Sequence, residues 1–152
     1  MKNKRPFRVS EKLRENIVSE IRGILKSKDE VLVAVVFGSF IEKKFARDID
    51  LAVYLGKEVG FYEALEYSEK LSKEIGENIR LPVDVVVLNI ADEGILMRAI
   101  LKGKVVLTRN PLLYHRLKML ALEVRNRFLR KPGKVLNNPK TLKHSLRKEH
   151  LR

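Results

Sequence analysis

Two aspartates separated by one residue carry the clearest chemical signal in this chain. Asp48 and Asp50 stand at the start of a predicted strand, so their side chains project from the same face. Carboxylates this close repel each other, and each raises the pKa of the other unless a cation lies between them. Oxygen ligands suit a hard cation such as Mg²⁺, which takes much of its remaining coordination from water and phosphates. The pair therefore predicts a magnesium site that handles a phosphate compound.

A Gly-Ser pair precedes these aspartates and directly follows an apolar, β-branched run. Gly38 would let a phosphate approach the main chain closely, because it has no side chain. The Ser39 hydroxyl and the amides of the following turn can donate hydrogen bonds to that phosphate. A phosphate anchor beside metal-binding carboxylates predicts phosphoryl or nucleotidyl transfer.

A third carboxylate, Asp84, stands in an otherwise apolar predicted strand, where burial without a partner is costly. If this strand lies beside the one with Asp48 and Asp50, the three carboxylates converge and can bridge two metals about 3.5–4 Å apart. Asp84 would then bind the metal that activates an attacking hydroxyl, or act as its base. The plainer alternatives are a capping role for Asp-x-Asp and a structural ion pair of Asp84 with Arg80 or Arg98.

The surrounding elements predict an α/β fold, with helices flanking a small mixed β-sheet. Apolar residues at helical spacing predict helices over 10–26, 61–75, 91–102 and 111–129. Apolar β-branched runs predict strands over 31–37, 48–55, 82–89 and 104–107. Gly76 is expected to end the second of these helices. Residues 40–46 are expected to form a short connection with a helical turn.

Composition limits the class of protein. The chain has 152 residues, of which 45% are hydrophobic and none is cysteine. That length supports one compact domain with or without a tail. The lack of cysteine excludes disulfides, thiolate metal sites and a cysteine nucleophile, and it favours a cytoplasmic location. No apolar run is long enough to span a membrane. The 34% of charged residues and the absence of glutamine are typical of a thermophile.

Positive charge is concentrated at both ends of the chain. The net charge of +13 divides into +4 in residues 1–10, −1 in residues 11–110 and +10 in residues 111–152. We therefore predict a folded domain over 1–130 and a basic tail over 131–152. Such ends suit nucleic acid, an acidic protein or anionic lipid, although a solvated surface gives the same pattern.

The motifs also resemble a known family. Gly38-Ser39, then Asp48-Ile49-Asp50, then Asp84 in LPVDVVVLN resembles the signature of the minimal nucleotidyltransferases (MNT) of the DNA polymerase β superfamily. The stretch ILMRAILKGKVVLTRN is similar to the helix and edge strand that follow the third carboxylate in that family. The resemblance covers about residues 9–129 and keeps the elements in the family's order.

This resemblance implies a polymerase-β-type nucleotidyltransferase fold with the nucleotide in an open groove. It implies that Asp48 and Asp50 bind two Mg²⁺ ions, that Asp84 completes the catalytic and metal site, and that Gly38 and Ser39 hold the triphosphate. A hydroxyl would attack the α-phosphate of a nucleoside triphosphate in line and release pyrophosphate. Many members are antitoxins that adenylylate a tyrosine of a helical HEPN ribonuclease toxin, which implies ATP as substrate and a protein partner of that type.

A function of a different class stays open. The domain would be a binding module with a vestigial acidic site that neutralises a partner, or binds RNA, through its basic termini. Binding through those termini predicts a strong dependence on salt concentration. Exposed apolar helix faces also leave a homodimer open.

Overall fold

The computed structural model describes residues 4–130, so the predicted basic tail over 131–152 lies outside the described part. The helices are α1 (Glu11–Leu25), α2 (Ser39–Glu42), α3 (Phe61–Ile79), α4 (Glu93–Lys102) and α5 (Pro111–Arg130). The strands are β1 (Phe7–Arg8), β2 (Val31–Phe37), β3 (Phe45–Ala46), β4 (Ile49–Leu55), β5 (Val83–Val87) and β6 (Lys104–Thr108). A 3₁₀ turn (Leu88–Ile90) follows β5. Within the described residues, no helix combines the length and the apolar character that crossing a bilayer requires.

The central sheet has four strands in the order β5-β4-β2-β6. β5 runs parallel to β4, whereas β2 is antiparallel to both β4 and β6. The mixed α/β fold predicted from the sequence is therefore confirmed. The register places Asp50 opposite Asp84 on one side and opposite Phe37 on the other. The carboxyl end of β2 and the amino ends of β4 and β5 therefore meet at one edge of the sheet.

Both faces of the sheet are covered by helices, which explains the unbroken apolar run of β2. Alternate strand residues such as Leu51 and Val53 pack with α1 and α3 on one face. Ala52 and Tyr54 point to the other face and pack with α4 and α5. The residues of β2 point alternately to these two faces, and helices cover both faces. Both sets of side chains are therefore buried, and both must be apolar.

The helix α3 does not end where the sequence predicted. Gly76 was expected to stop it, but the helix continues to Ile79 and ends at Arg80, whose φ of 61° is left-handed. Ile75 and Ile79 are both buried one helical turn apart. Burying this second isoleucine outweighs the cost of about 1 kcal/mol for a glycine inside a helix.

The strand β5 is also shorter than the predicted range of 82–89, because Asn89 turns back to the neighbouring strand. Its Oδ1 accepts a hydrogen bond from the Leu55 amide at 2.8 Å, and its Nδ2 donates one to the Leu55 carbonyl at 2.9 Å. The side chain thus satisfies main-chain groups at the end of β4, where the ladder with β5 has stopped.

A second, two-stranded sheet was not predicted. β1 pairs with β3 through Phe7 opposite Ala46 and Arg8 opposite Phe45. The Val9 amide donates to the Lys44 carbonyl at 2.7 Å. Strands of two residues have no detectable hydrophobic period, so they leave no sequence signal. We call residues 4–9 the N-terminal strap, because this pairing ties them across the connection between β2 and β4.

Candidate active site

The three predicted carboxylates converge at the edge of the sheet. Asp48 immediately precedes β4, Asp50 is its second residue, and Asp84 is the second residue of the parallel neighbour β5. Because Asp50 and Asp84 are register partners, they project side by side from the face covered by α4 and α5. One carboxylate oxygen from each of the three lies within 4.8 Å of the others. The sequence predicted that the three carboxylates would converge if their strands were neighbours. The strands β4 and β5 are neighbours, and the carboxylates do converge.

Gly38 closes the site on the opposite side from Asp84. It follows β2, and the register of Phe37 with Asp50 brings it against the Asp50 side chain. Its φ of 79° and ψ of −157° lie in a region that is open essentially only to glycine. A Cβ here would stand 2.5 Å from the Asp50 Oδ2. Glycine is therefore required both by the backbone conformation and by the close approach of the carboxylate.

Ser39 directly follows as the first residue of α2, which is a single turn. The Gly38 carbonyl accepts hydrogen bonds from the amides of Ile41 and Glu42, and the Ser39 carbonyl accepts one from the Lys43 amide. The two residues predicted to hold a triphosphate thus stand at the same sheet edge as the aspartates. Between them, the strands and this turn bring together all five residues singled out from the sequence.

A basic residue that the sequence did not single out lies among the carboxylates. The Lys4 ammonium donates to the Asp48 Oδ2 at 2.7 Å and to the Asp84 Oδ2 at 2.9 Å. Asp84 therefore pairs with Lys4, and not with Arg80 or Arg98 as one alternative proposed. The pairing of β1 with β3 brings Lys4 here, and that long-range contact has no signal in the local pattern.

The electrostatics show that one ammonium does not balance three carboxylates. Burial, together with the charges of Asp48 and Asp84, raises the pKa of Asp50 to about 6, although Lys4 and Arg98 act to lower it. Burial also disfavours the ionised form of Asp84, but the hydrogen bonds with Lys4 and Asp48 prevail and lower its pKa. The cluster therefore keeps a net negative charge, and Asp50 is the carboxylate whose ionised form is disfavoured.

These residues fit a magnesium site on their own chemistry. Three carboxylate oxygens within 4.8 Å match the hard oxygen ligands that Mg²⁺ prefers. The raised pKa of Asp50 marks a position where additional positive charge would be stabilising. Asp48, Asp50 and Asp84 could therefore hold divalent cations.

A cavity of about 1070 Å³ adjoins Asp84, between the N-terminal strap and α3. Its walls include Ser72, Lys73 and Arg80, and its floor is the outer edge of β5. The Val85 amide on this edge donates to the Ser72 Oγ at 3.0 Å. The site thus opens on the Asp84 side into this cavity.

Comparison with protein families gives one match to this arrangement. The family model described as "Polymerase beta, Nucleotidyltransferase" matches residues 19–112, which is more than half of the chain. The match contains Gly38, Ser39 and the three aspartates. No curated protein sequence matches the chain significantly.

Solved structures with a similar fold include MNT antitoxins in complexes with toxins. One is a complex of a tri-AMPylated HEPN toxin from Shewanella oneidensis with an MNT antitoxin. The matching chain is 16% identical to this one, with a TM-score of 0.58, and the match covers 76% of this chain and 88% of that chain. A chain of the MntA-HepT toxin-antitoxin is 15% identical, with a TM-score of 0.59, and the match covers 75% of this chain and 88% of that chain. A chain of a toxin-antitoxin with AMP-PNP is 18% identical, with a TM-score of 0.57, and the match covers 72% of this chain and 88% of that chain. At this identity the likeness shows a shared fold.

Proposed function

The chain belongs to the polymerase beta nucleotidyltransferase family, and from that premise we propose that it transfers AMP from ATP to a hydroxyl of a partner protein in the presence of Mg²⁺. The observation that carries this proposal is the meeting of Asp48, Asp50 and Asp84 within 4.8 Å, beside the glycine turn. Family membership supports the nucleotidyl transfer, whereas the choice of ATP and of a protein acceptor is the proposal's own.

Each residue has a role that follows from its position. Asp48 and Asp50 would hold the Mg²⁺ ions, and Asp84 would complete the ligand set from the neighbouring strand. When bound, these ions would neutralise the phosphates and acidify the attacking hydroxyl. Gly38 leaves the main chain open to a phosphate, and the Ser39 hydroxyl would donate a hydrogen bond to it.

The reaction places the acceptor on the Asp84 side. The acceptor oxygen forms a bond to the α-phosphorus, the bond from that phosphorus to the pyrophosphate oxygen breaks, and the hydroxyl proton passes to Asp84 or to water. The Asp84 side chain is 53% exposed, against 25% for Asp48, and it borders the large cavity. A side-chain hydroxyl carried by a protein segment would reach the site through that opening.

We propose a HEPN-type toxin as the acceptor and this chain as its antitoxin. The support is the fold shared with the MNT antitoxins, one of which is in a complex with an AMPylated HEPN toxin. The cavity of about 1070 Å³ beside Asp84 also leaves room for a segment of a partner protein. A short chain of HEPN type encoded by an adjacent gene is the acceptor to test first.

The test combines the protein with that partner, Mg²⁺ and ATP labelled at the α-phosphate. We expect label on the partner, and a loss of at least about 100-fold for Asp48→Asn and Asp50→Asn, the scale of removing one electrostatic contributor to a transition state. Asp29→Asn is the matched control, because its side chain is 98% exposed. Transfer that is absent, or equal in all variants, would overturn the proposal.

The binding-module alternative has its own outcome in the same test. If the chain neutralises the partner without labelling it, and if Asp48→Asn and Asp50→Asn neutralise it equally well, the acidic cluster has no part in function. Salt-dependent binding through the basic termini would then account for recognition.

A further inference from the structure

Lys4 contacts two of the three carboxylates that would hold a divalent ion. Its ammonium lies 2.7 Å from the Asp48 Oδ2 and 2.9 Å from the Asp84 Oδ2, so it joins carboxylates from two neighbouring strands. A divalent ion held by these carboxylates would lie within a few ångströms of the ammonium. Because two positive charges repel at such short range, the ammonium and the ion cannot share this position.

The strap holds Lys4 close to the carboxylates without fixing it there. Phe7 and Arg8 pair with β3, and the Phe7 ring packs against Phe40 with centroids 6.3 Å apart. Only Arg5 and Pro6, both exposed, separate Lys4 from this anchor. The Arg47 Nη1 donates to the Lys4 carbonyl at a long 3.4 Å. The flexible four-carbon side chain can therefore withdraw while β1 stays paired with β3.

The surroundings permit that withdrawal. The Lys4 side chain is 35% exposed and the Asp84 side chain 53% exposed, so solvent already reaches the pair. Lys4 also lines the large cavity beside Asp84. Withdrawal of Lys4 frees one oxygen of Asp48 and one of Asp84, and it clears the path from the cavity to the site.

We propose that Lys4 is a built-in competitor for the divalent cation, which pairs with Asp48 and Asp84 until a metal displaces it. The inference rests on the proposed function, since it takes the three aspartates as the metal ligands. It assigns the N-terminal strap a regulatory role: occupancy of the site by metal and contact of Lys4 with the carboxylates exclude each other.

The test measures binding of Mn²⁺ alone to the full chain, by titration calorimetry and by the electron paramagnetic resonance signal of free Mn²⁺. We expect Lys4→Gln to bind about threefold to tenfold more tightly, the scale of removing a partly exposed, hydrogen-bonded charge pair. Lys12→Gln is the control, because it removes one exposed lysine charge from α1. It should bind within about twofold of the parent.

A second readout follows the lysine itself. Reductive methylation with mass spectrometry should modify Lys4 slowly in EDTA and faster in saturating Mn²⁺, whereas Lys12 should react equally in both. Equal Mn²⁺ affinity for Lys4→Gln and the parent, or weaker affinity, would overturn the competitor role and leave the proposed function standing. Binding by neither protein would overturn both.

Discussion

Asp50 is predicted to destabilise the fold when it is ionised, so its neutral isostere should stabilise the protein. Its pKa is about 6 in the folded chain against an ordinary 3.8. Below pH 3.8 the group is protonated in both the folded and unfolded states and contributes nothing. As the pH rises to 6, the unfolded chain releases a proton that the folded chain retains, and stability falls. Above pH 6 the loss is complete and constant.

The size of this loss follows from the difference between the two pKa values. At about 1.36 kcal/mol for each pKa unit, the change from 3.8 to about 6 sets an upper limit of about 3 kcal/mol. Asp50 is only half-buried, and solvent screens its repulsion from Asp48 and Asp84, so we expect about 1 kcal/mol. For a chain of this length, that gain corresponds to a Tm about 2–4 °C higher for Asp50→Asn.

The assay is thermal unfolding of the parent and of Asp50→Asn in EDTA at pH 4 and pH 8. We expect Tm values within about 1 °C of each other at pH 4 and the higher Tm for the variant at pH 8. Asp29→Asn, which alters an exposed carboxylate, should change Tm little at either pH. Saturating Mg²⁺ at pH 8 should reverse the order, because the ion stabilises the ionised parent. An Asp50→Asn variant that is less stable at pH 8, or equally shifted at both pH values, would refute this electrostatic account.

The remaining predictions concern two glycines and one partly buried ion pair. Gly38→Ala should lower the free energy of unfolding by about 1–3 kcal/mol and weaken Mn²⁺ binding, because its Cβ would stand 2.5 Å from the Asp50 Oδ2 at a φ of 79°. Urea unfolding would measure the loss of stability, and calorimetry would measure Mn²⁺ binding. An unchanged Mn²⁺ affinity would contradict this prediction. Gly103→Ala should destabilise the fold by at least about 2 kcal/mol in urea unfolding, because its Cβ would be 2.3 Å from the Ala99 carbonyl; an unchanged midpoint would contradict that packing. Glu93 is 3% exposed and lies 3.3 Å from the Arg127 Nη2. Arg127→Met should therefore cost about 1–3 kcal/mol in the same assay, and adding Glu93→Met should restore part of it; additive losses would argue against the pair.

Much of the fold follows from local sequence patterns. The run that forms β2 is apolar at every position because the strand is central and covered on both faces, and its predicted bounds match Val31–Phe37. The predicted helix over 10–26 is present as α1, and Ser10 caps it, with its Oγ accepting a hydrogen bond from the Leu13 amide at 3.1 Å. These signals are local, since hydrophobic burial and capping act on residues a few positions apart.

The features that the sequence did not predict depend on contacts between distant segments. Gly76 ends no helix, because the burial of Ile79 extends α3 past it. The position of Lys4 depends on β1 finding β3, and those strands are too short to show a pattern. The convergence of the aspartates was predictable only as a condition, because it requires that β5 lie beside β4. The local patterns in the sequence do not determine the order of the strands, and it is this order that places β5 next to β4.

The central claim is that Asp48, Asp50 and Asp84 bind divalent ions beside a triphosphate held at Gly38 and Ser39. A crystal structure with Mn²⁺ and a non-hydrolysable ATP analogue tests it most directly, because the anomalous signal of manganese locates the ions. We expect the signal between the three carboxylates, the phosphates against the glycine turn, and the Lys4 ammonium withdrawn from Asp48 and Asp84. Manganese or phosphates bound elsewhere, with the three carboxylates still free of metal, would contradict the account.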